Sequence, residues 1–245
     1  MLRIEVLFPE LSNLYGELAN MKYLKKSLSD AEFIETSYTD EPLFLTENVD
    51  MVYLGTMTED AQKLIIDKLM PHRDRIRERI EEGMNFLITG NALEIFGNEI
   101  IEEGKTVTEG LGLFDFVSER RARVRYNCLY VGDFDAEGVD TIRIVGYKSL
   151  FGFSRGSAFE KYPFARTCLG WGINKDVKEE GIHYKNFIAT YTTGPLFILN
   201  PPFMKWYMSS LLGDSASEPA FYDDAMKAYE CRLEEYMAPG KGWEY

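Results

Sequence analysis

At 245 residues, with 45% hydrophobic and 14% aromatic content, the chain can bury a sizeable core and bears no compositional mark of disorder. A formal net charge of −13 argues against a nucleic-acid-binding surface, which needs concentrated positive charge to displace counterions. No apolar run approaches the roughly 20 residues that span a bilayer, and the opening MLRIEVLFPE is a strand pattern containing charges, not a signal peptide.

Leu2, Ile4, Val6 and Phe8 alternate, which predicts a first strand, broken by Pro9. Ser12 or Asn13 can cap the helix that follows, whose stripe runs Leu14, Leu18, Met21, Leu24 and Leu28. Further strands are predicted at Glu32 to Tyr38 and at Asp50 to Leu54, the latter ending at Gly55. Thr58 is placed to cap the next helix, and Pro71 to open another from His72 to Glu82, with Gly83 just past its end. Arg73, Arg75, Arg77 and Arg79 of that helix do not share a face, so a solvated surface is expected there.

Phe86 to Gly97, FLITGNALEIFG, is the stretch on which the rest turns. Phe86, Leu87 and Ile88 read as a buried strand, Thr89-Gly90-Asn91 as a tight turn, and Ala92 to Phe96 as a short helix closed by Gly97. A strand running into a sharp turn and a helix is how many hydrolases and amidotransferases present a nucleophile. Here the apex is Gly90, which has no side chain to attack with.

Beyond it the alternation loosens. Short strands and turns are expected at Ile100-Ile101, at 106–108 and along Leu111 to Phe116. Arg121, Arg123 and Arg125 alternate with Ala122, Val124 and Tyr126, predicting a half-buried strand with three arginines on one face, an edge protected by charge or a patch for an anion. Asp140 to Gly146 predicts another strand, and Leu150 to Ser157 a glycine-rich loop without the GxxxxGK[ST] spacing of a P-loop. Strands at Ala165 to Leu169 and Tyr184 to Tyr191 close the sheet region. A Thr192-Thr193-Gly194-Pro195 turn, a helix from Phe203 to Leu212 and a last amphipathic helix from Glu218 to Met237 complete the chain. The pattern is that of a single α/β domain, 1–245, with a mainly parallel sheet covered on both faces.

Cys128, Cys168 and Cys231 form an odd set with no CxxC and no neighbouring His. That excludes the common zinc spacings and any disulfide framework, and the compartment expected is a reducing cytoplasm; no cofactor is expected either.

Several segments together resemble one family. They are Leu7-Phe8-Pro9-Glu10-Leu11-Ser12-Asn13-Leu14-Tyr15-Gly16 with Asn20, then Gly110-Leu111-Gly112-Leu113-Phe114-Asp115-Phe116. Further on they are Glu180-Gly181-Ile182-His183-Tyr184-Lys185-Asn186 and Thr190-Tyr191-Thr192-Thr193-Gly194-Pro195-Leu196. In this order they resemble the class I glutamine amidotransferases of the cobyric-acid-synthase type. They are similar in particular to the small stand-alone subunit (GatD type) that supplies ammonia to a Mur-ligase-like partner in lipid II amidation. The resemblance implies a three-layer α/β/α, flavodoxin-like fold.

It also implies a chemistry. A thiolate on the elbow attacks the glutamine amide, a His moves protons, and backbone N–H groups hold the oxyanion. The family elbow reads aliphatic-Cys-Gly-Gly-x-Gln, so Gly90 stands at the nucleophile position, Asn91 at the second glycine position and Glu94 at the Gln. The later Thr-Tyr-Leu-His-Gly-Pro motif puts Thr193 at the base position. Gly55-Thr56-Met57 replaces a run of three glycines, and Gly146-Tyr147-Lys148-Ser149-Leu150 replaces Gly-Phe-Glu-Asn-His at the pocket wall.

The resemblance therefore implies a pseudoenzyme acting as a binding, scaffold or regulatory subunit, with a Mur-ligase-like or other ATP-dependent amide ligase as the natural partner. Two alternatives stand beside it. One is an active glutaminase with a relocated nucleophile, Cys128 or Cys168, and His183 as base. The other is a small-molecule sensor using the old glutamine pocket, narrowed by Thr56, Met57 and Asn91 and charged by Glu94.

Overall fold

The computed structural model describes residues 1–121, 123–136, 138–240 and 244. In chain order, β1 (Arg3–Leu7), α1 (Ala19–Ser27), β2 (Glu32–Thr36), β3 (Met51–Leu54), α2 (Glu59–Leu69), α3 (Arg73–Glu81) and β4 (Asn85–Thr89) build most of a parallel sheet and the helices on it. There follow β5 (Glu99–Glu102), β6 (Lys105–Glu109), β7 (Val117–Arg120), β8 (Tyr126–Phe134), β9 (Ile142–Leu150), β10 (Gly152–Arg155), α4 (Ser157–Lys161) and β11 (Ala165–Leu169). The chain ends with β12 (Glu179–Glu180), β13 (Ile182–Tyr184), β14 (Phe187–Thr190), α5 (Leu196–Leu199), α6 (Pro201–Leu212) and α7 (Tyr222–Met237).

The main sheet runs β13-β14-β4-β3-β1-β2. Every neighbouring pair is parallel except the edge hairpin β13–β14. Its central strands are apolar on both faces, as a sheet covered by helices on both sides requires. Val52, Leu54, Phe86 and Ile88 pack on one side with Ile65, Ile66 and Leu69 of α2 and Ile76 and Ile80 of α3. Met51, Tyr53 and Leu87 point the other way, into Met21 and Leu24 of α1 and Phe203, Met204 and Tyr207 of α6. The three-layer α/β/α arrangement follows from that division. Two four-stranded sheets, β10-β7-β5-β6 and β12-β11-β8-β9, are appended beyond β4.

Local signals place several boundaries. Thr58 Oγ1 accepts the Ala61 N–H, capping α2. Gly83, at φ +85°, ends α3: its N–H reaches the Ile80 carbonyl and that of Met84 the Arg79 carbonyl, a pairing that needs a left-handed residue after the helix. Asn13 Oδ1 accepts the Leu18 N–H just ahead of α1, while Leu14 and Tyr15 remain exposed.

Elsewhere the structure differs from expectation. Arg121 to Arg125 is no strand but the connection between β7 and β8, and Ala122 lies outside the described residues. Leu150 to Ser157 is not a loop: it contains β10, antiparallel to β7. Gly152 is required there because a Cβ would meet the Glu119 carbonyl. Leu111 to Phe116 forms no strand. The final helix begins at Tyr222, not Glu218, after Phe221 in the left-handed region. Arg79 is buried, not solvated, because its guanidinium donates to the carbonyls of Phe44 and Glu47 at 2.8 and 2.9 Å.

Candidate functional site

The elbow forms where β4 ends. Thr89 is extended, Gly90 turns into the left-handed region at φ +63°, and Gly90–Phe96 winds as a 3-10 helix closed by Gly97, tighter than the α-helical turn expected. Its carbonyls are satisfied from outside: the N–H groups of Leu111, Leu113 and Gly112 donate to Ile95, Phe96 and Gly97 at 2.8, 3.0 and 2.8 Å. This explains the Gly-Leu-Gly-Leu segment, which caps the elbow. Gly110 packs with its Cβ position 2.3 Å from the Gly97 carbonyl, where only hydrogen fits.

Above the apex stands Thr56. A Cβ on Gly90 would lie 2.9 Å from both Cβ and Cγ2 of Thr56, and closer still to its hydroxyl. Real Cβ contacts are not made at such distances, so Thr56 fills the space a side chain at position 90 would use. Thr56 is itself held by its neighbours. Gly55 lies against Ser12, whose carbonyl would be 2.5 Å from an added Cβ. Met57 is clamped by Asn91, whose Oδ1 accepts the Met57 N–H at 3.0 Å while Nδ2 donates to the Met57 carbonyl at 2.9 Å.

Glu94 points inward from the elbow and is 6% exposed. It accepts Tyr191 Oη at 2.9 Å and Gln62 Nε2 at 3.1 Å, while Arg120 Nη2 donates to Gln62 Oε1 at 2.6 Å and lies 3.8 Å from Glu94. Tyr191 Oη continues to Ser154 and thence to Ser118, each at 2.7 Å. Burial pushes the Glu94 carboxyl up, and Arg120, Gln62 and Tyr191 only partly offset it.

Thr193 is buried and paired with Tyr147: the two exchange backbone hydrogen bonds, and Thr193 Oγ1 donates to the Tyr147 carbonyl at 3.1 Å. A neutral threonine hydroxyl is far too weak a base to take a proton from a group at position 90. The next residue, Gly194, donates its N–H to Glu17 Oε1 at 2.9 Å. Asn20 joins in, donating to Glu17 and accepting the Phe197 N–H. Burial pushes the Glu17 carboxyl up as well.

The structure thus brings Gly90, Asn91, Glu94, Thr56, Met57 and Thr193 around one cavity, walled further by Tyr15, Arg120, Ser149, Leu150 and Phe151. Its volume is about 40 Å³, close to the share of one water and far below the ~300 Å³ at which small-molecule pockets begin. Gly55 is set back from it, against Ser12.

Cys128, Cys168 and His183 are not part of this site. Cys128 is buried in β8 opposite Lys148, and burial raises its thiol. Cys168 is exposed beside Asp133, and burial together with that carboxylate raises it too. His183 packs on Phe134 and Trp206, and burial lowers its pKa. Among the described residues, no group of three or more His, Cys, Asp or Glu is placed to hold a metal ion, and no helix is long and apolar enough to cross a membrane.

Gln62, Arg120 and Glu17 were not singled out by sequence. A signal existed for Gln62, which shares the i, i+3, i+4, i+7 stripe of α2 with Ile65, Ile66 and Leu69 and so had to be buried and bonded. Glu17 follows the Asn-Leu-Tyr-Gly segment directly.

The model of the CobB/CobQ-like glutamine amidotransferase domain matches residues 3–200. The chain is 28% identical over 193 residues to the lipid II isoglutaminyl synthase (glutamine-hydrolyzing) subunit GatD of Staphylococcus aureus (strain N315), covering 77% of this chain and 75% of that protein. It is 24% identical over 208 residues to the subunit of the same name from Streptococcus pneumoniae (strain ATCC BAA-255 / R6), covering 81% and 76%. Among solved structures, a glutamine amidotransferase superposes with a TM-score of 0.52 at 18% identity, over 85% of this chain and 98% of that one.

Proposed function

The chain belongs to the CobB/CobQ-like glutamine amidotransferase family, and on that premise we propose that it is a member without glutaminase activity, acting as a binding or regulatory subunit of an ATP-dependent amide ligase. Relatives that bear the name GatD are subunits of lipid II isoglutaminyl synthase, which supports a protein partner and a place in lipid II amidation; that the partner is a Mur-ligase-like enzyme and the place of action the cytoplasm is part of the proposal.

One observation carries the loss of activity: the Thr56 side chain occupies the position a Cβ on Gly90 would need. Absence of the nucleophile alone leaves a pocket; here the pocket is also filled. The neighbouring features point the same way. Glutamine hydrolysis by this route needs a thiolate, a proton acceptor and free backbone N–H donors at the oxyanion. Gly90 offers no thiol, and the Thr193 hydroxyl, which donates to the Tyr147 carbonyl, is too weak a base to act as the proton acceptor. The Met57 N–H, in the segment that the resemblance makes the oxyanion loop, is spent on Asn91.

A relocated nucleophile is disfavoured because both thiols are raised rather than lowered, leaving less thiolate at neutral pH. A sensor in the old pocket is disfavoured by its volume of about 40 Å³.

The test is co-purification of the chain with Mur-ligase-like proteins encoded beside it, scored by size-exclusion chromatography, with ammonia release from glutamine measured for the chain and each complex. A stable complex without ammonia release is expected. Ammonia release that Cys128→Ser or Cys168→Ser abolishes, or failure to bind any such ligase, overturns the reading.

A further inference from the structure

Beyond the filled elbow lies a second and much larger cleft. Arg120 and Phe151 line both and form the partition between them. The cleft measures about 630 Å³, within the ~300–1,000 Å³ typical of small-molecule sites. It opens between β7–β10 and the start of β8. No residue that the resemblance assigns to glutamine chemistry lines it.

Its walls combine two chemistries. One is aromatic: the Tyr126 and Phe153 rings lie 4.7 Å apart at their centroids, and Phe151 carries the Arg125 guanidinium 4.4 Å above its ring. The other is cationic and gathered at one end. Arg155 closes β10 there, paired with Asp176 at 3.2 Å, both about two-thirds exposed at 65% and 67%. Lys175 sits 4.2 Å over the Trp171 ring and 4.9 Å over that of Tyr126. Its own ion pair, with Glu244 at 3.2 Å, is also exposed. Exposed pairs of this kind contribute about 0–1 kcal/mol, so a bound oxyanion can displace either carboxylate at little cost. Glu119, directly opposite Phe153 across β7 and β10, adds an acceptor beside the aromatic wall.

We propose that this cleft binds a small ligand joining an oxyanion to a planar ring that bears an amino group, the nucleoside monophosphate class. The ring stacks against Phe153 and Tyr126, the amino group donates to Glu119, and the phosphate meets Arg155 and Lys175. Arg155 and Lys175, with Arg121 also on the wall, supply the positive groups in a chain of net charge −13, and a phosphate there takes the place of the Asp176 and Glu244 carboxylates. Stacking on aromatic side chains contributes about 1–3 kcal/mol per base, which a phosphate held only by exposed cations needs for useful affinity.

The probe is AMP, titrated into the full chain by isothermal titration calorimetry, with adenosine and inorganic phosphate titrated separately. Saturation by AMP below about 1 mM is expected, with each half alone at least about tenfold weaker, because the two walls act jointly. Arg155→Glu and Lys175→Glu change exposed side chains and leave the core intact, so the fold survives them. Each is expected to weaken AMP at least about tenfold. No saturation by AMP, equal affinity for phosphate alone, or AMP binding that neither variant weakens overturns the proposal. Ligase binding is read separately, so failure here leaves the subunit reading unaffected and the converse also holds.

Discussion

Thr56 and Gly90 exclude each other's side chains: the Thr56 Cβ and Cγ2 stand 2.9 Å from the Cβ position of Gly90. On the proposed reading, Gly90 at the elbow and Thr56 above it are matched to each other: either side chain fits only where the other is absent. Restoring the thiol alone with Gly90→Cys forces an overpacked contact, typically ~1–3 kcal/mol, and places a side chain at φ +63°, a further ~1–2 kcal/mol. Thr56→Gly opens the space, so the double variant is expected to be more stable than the sum of the singles predicts, by on the order of 1 kcal/mol or more. Urea midpoints for the four-member cycle check this; additive midpoints would show that the two residues do not compete. Ammonia release is expected in none of the four, because Thr193 is still no base.

Much of this arrangement was legible in the chain itself. The strand ending at Thr89, the turn at Gly90, the Thr58 cap and the stop at Gly83 are local events, governed by residues a few positions apart. So was the central sheet, whose buried strands read as unbroken apolar runs. What did not show was contact between distant segments. The resemblance sets Thr56 at the wall of the pocket, but its contact with position 90 appears only when β3 and β4 lie side by side and bring it over Gly90. The burial of Arg79 depends on carbonyls at Phe44 and Glu47, and β10 was hidden because Gly152 and Gly156 suggest a loop while serving close backbone approach. Sequence singled out Gly90 at the apex; only packing revealed that the Thr56 side chain fills the space beside it.

Asn91→Ala removes both arms of the clamp on Met57 and leaves a partly buried N–H and carbonyl unpaired. The expected loss is about 1–3 kcal/mol, read as a lower urea midpoint. Amide exchange at Met57 should accelerate more than at Val52, since the clamp acts locally. Unchanged exchange at Met57 would show that the loop is held by something else.

The pH response of Glu94 has a definite sign. In the unfolded chain a Glu titrates near ~4.3, while burial raises the folded value. The native state then holds the proton more tightly than the unfolded state. Its contribution is full below the unfolded value and falls as pH rises through the folded one. Glu94→Gln has no such proton to lose. Stability relative to the parent should therefore shift in favour of the variant as pH rises from about 4 to about 8. Glu5 and Glu17 are raised by burial too, so the variant keeps part of the slope. A stability difference that does not move with pH would show that Glu94 titrates alike in both states.

Lys148, in β9, is fully buried and paired with an equally buried Glu180. Its ammonium also donates to the carbonyls of Trp171 and Gly172 at 2.8 and 2.7 Å. The other Glu180 oxygen accepts Thr190 Oγ1 and the Tyr191 N–H, both at 2.8 Å. The pair thus ties β9 and β12 to the end of β14, just ahead of Thr193. Lys148→Met leaves an uncompensated carboxylate in the core, and the expected loss is about 3–5 kcal/mol. Adding Glu180→Gln removes that charge while keeping an acceptor for Tyr191. The double variant is expected to recover about half or more of the loss, since replacing a buried ion pair costs far less than breaking it. Urea unfolding of both singles and the double decides the matter. A double variant no more stable than Lys148→Met would mean that the lysine acts through the two carbonyls and not through Glu180.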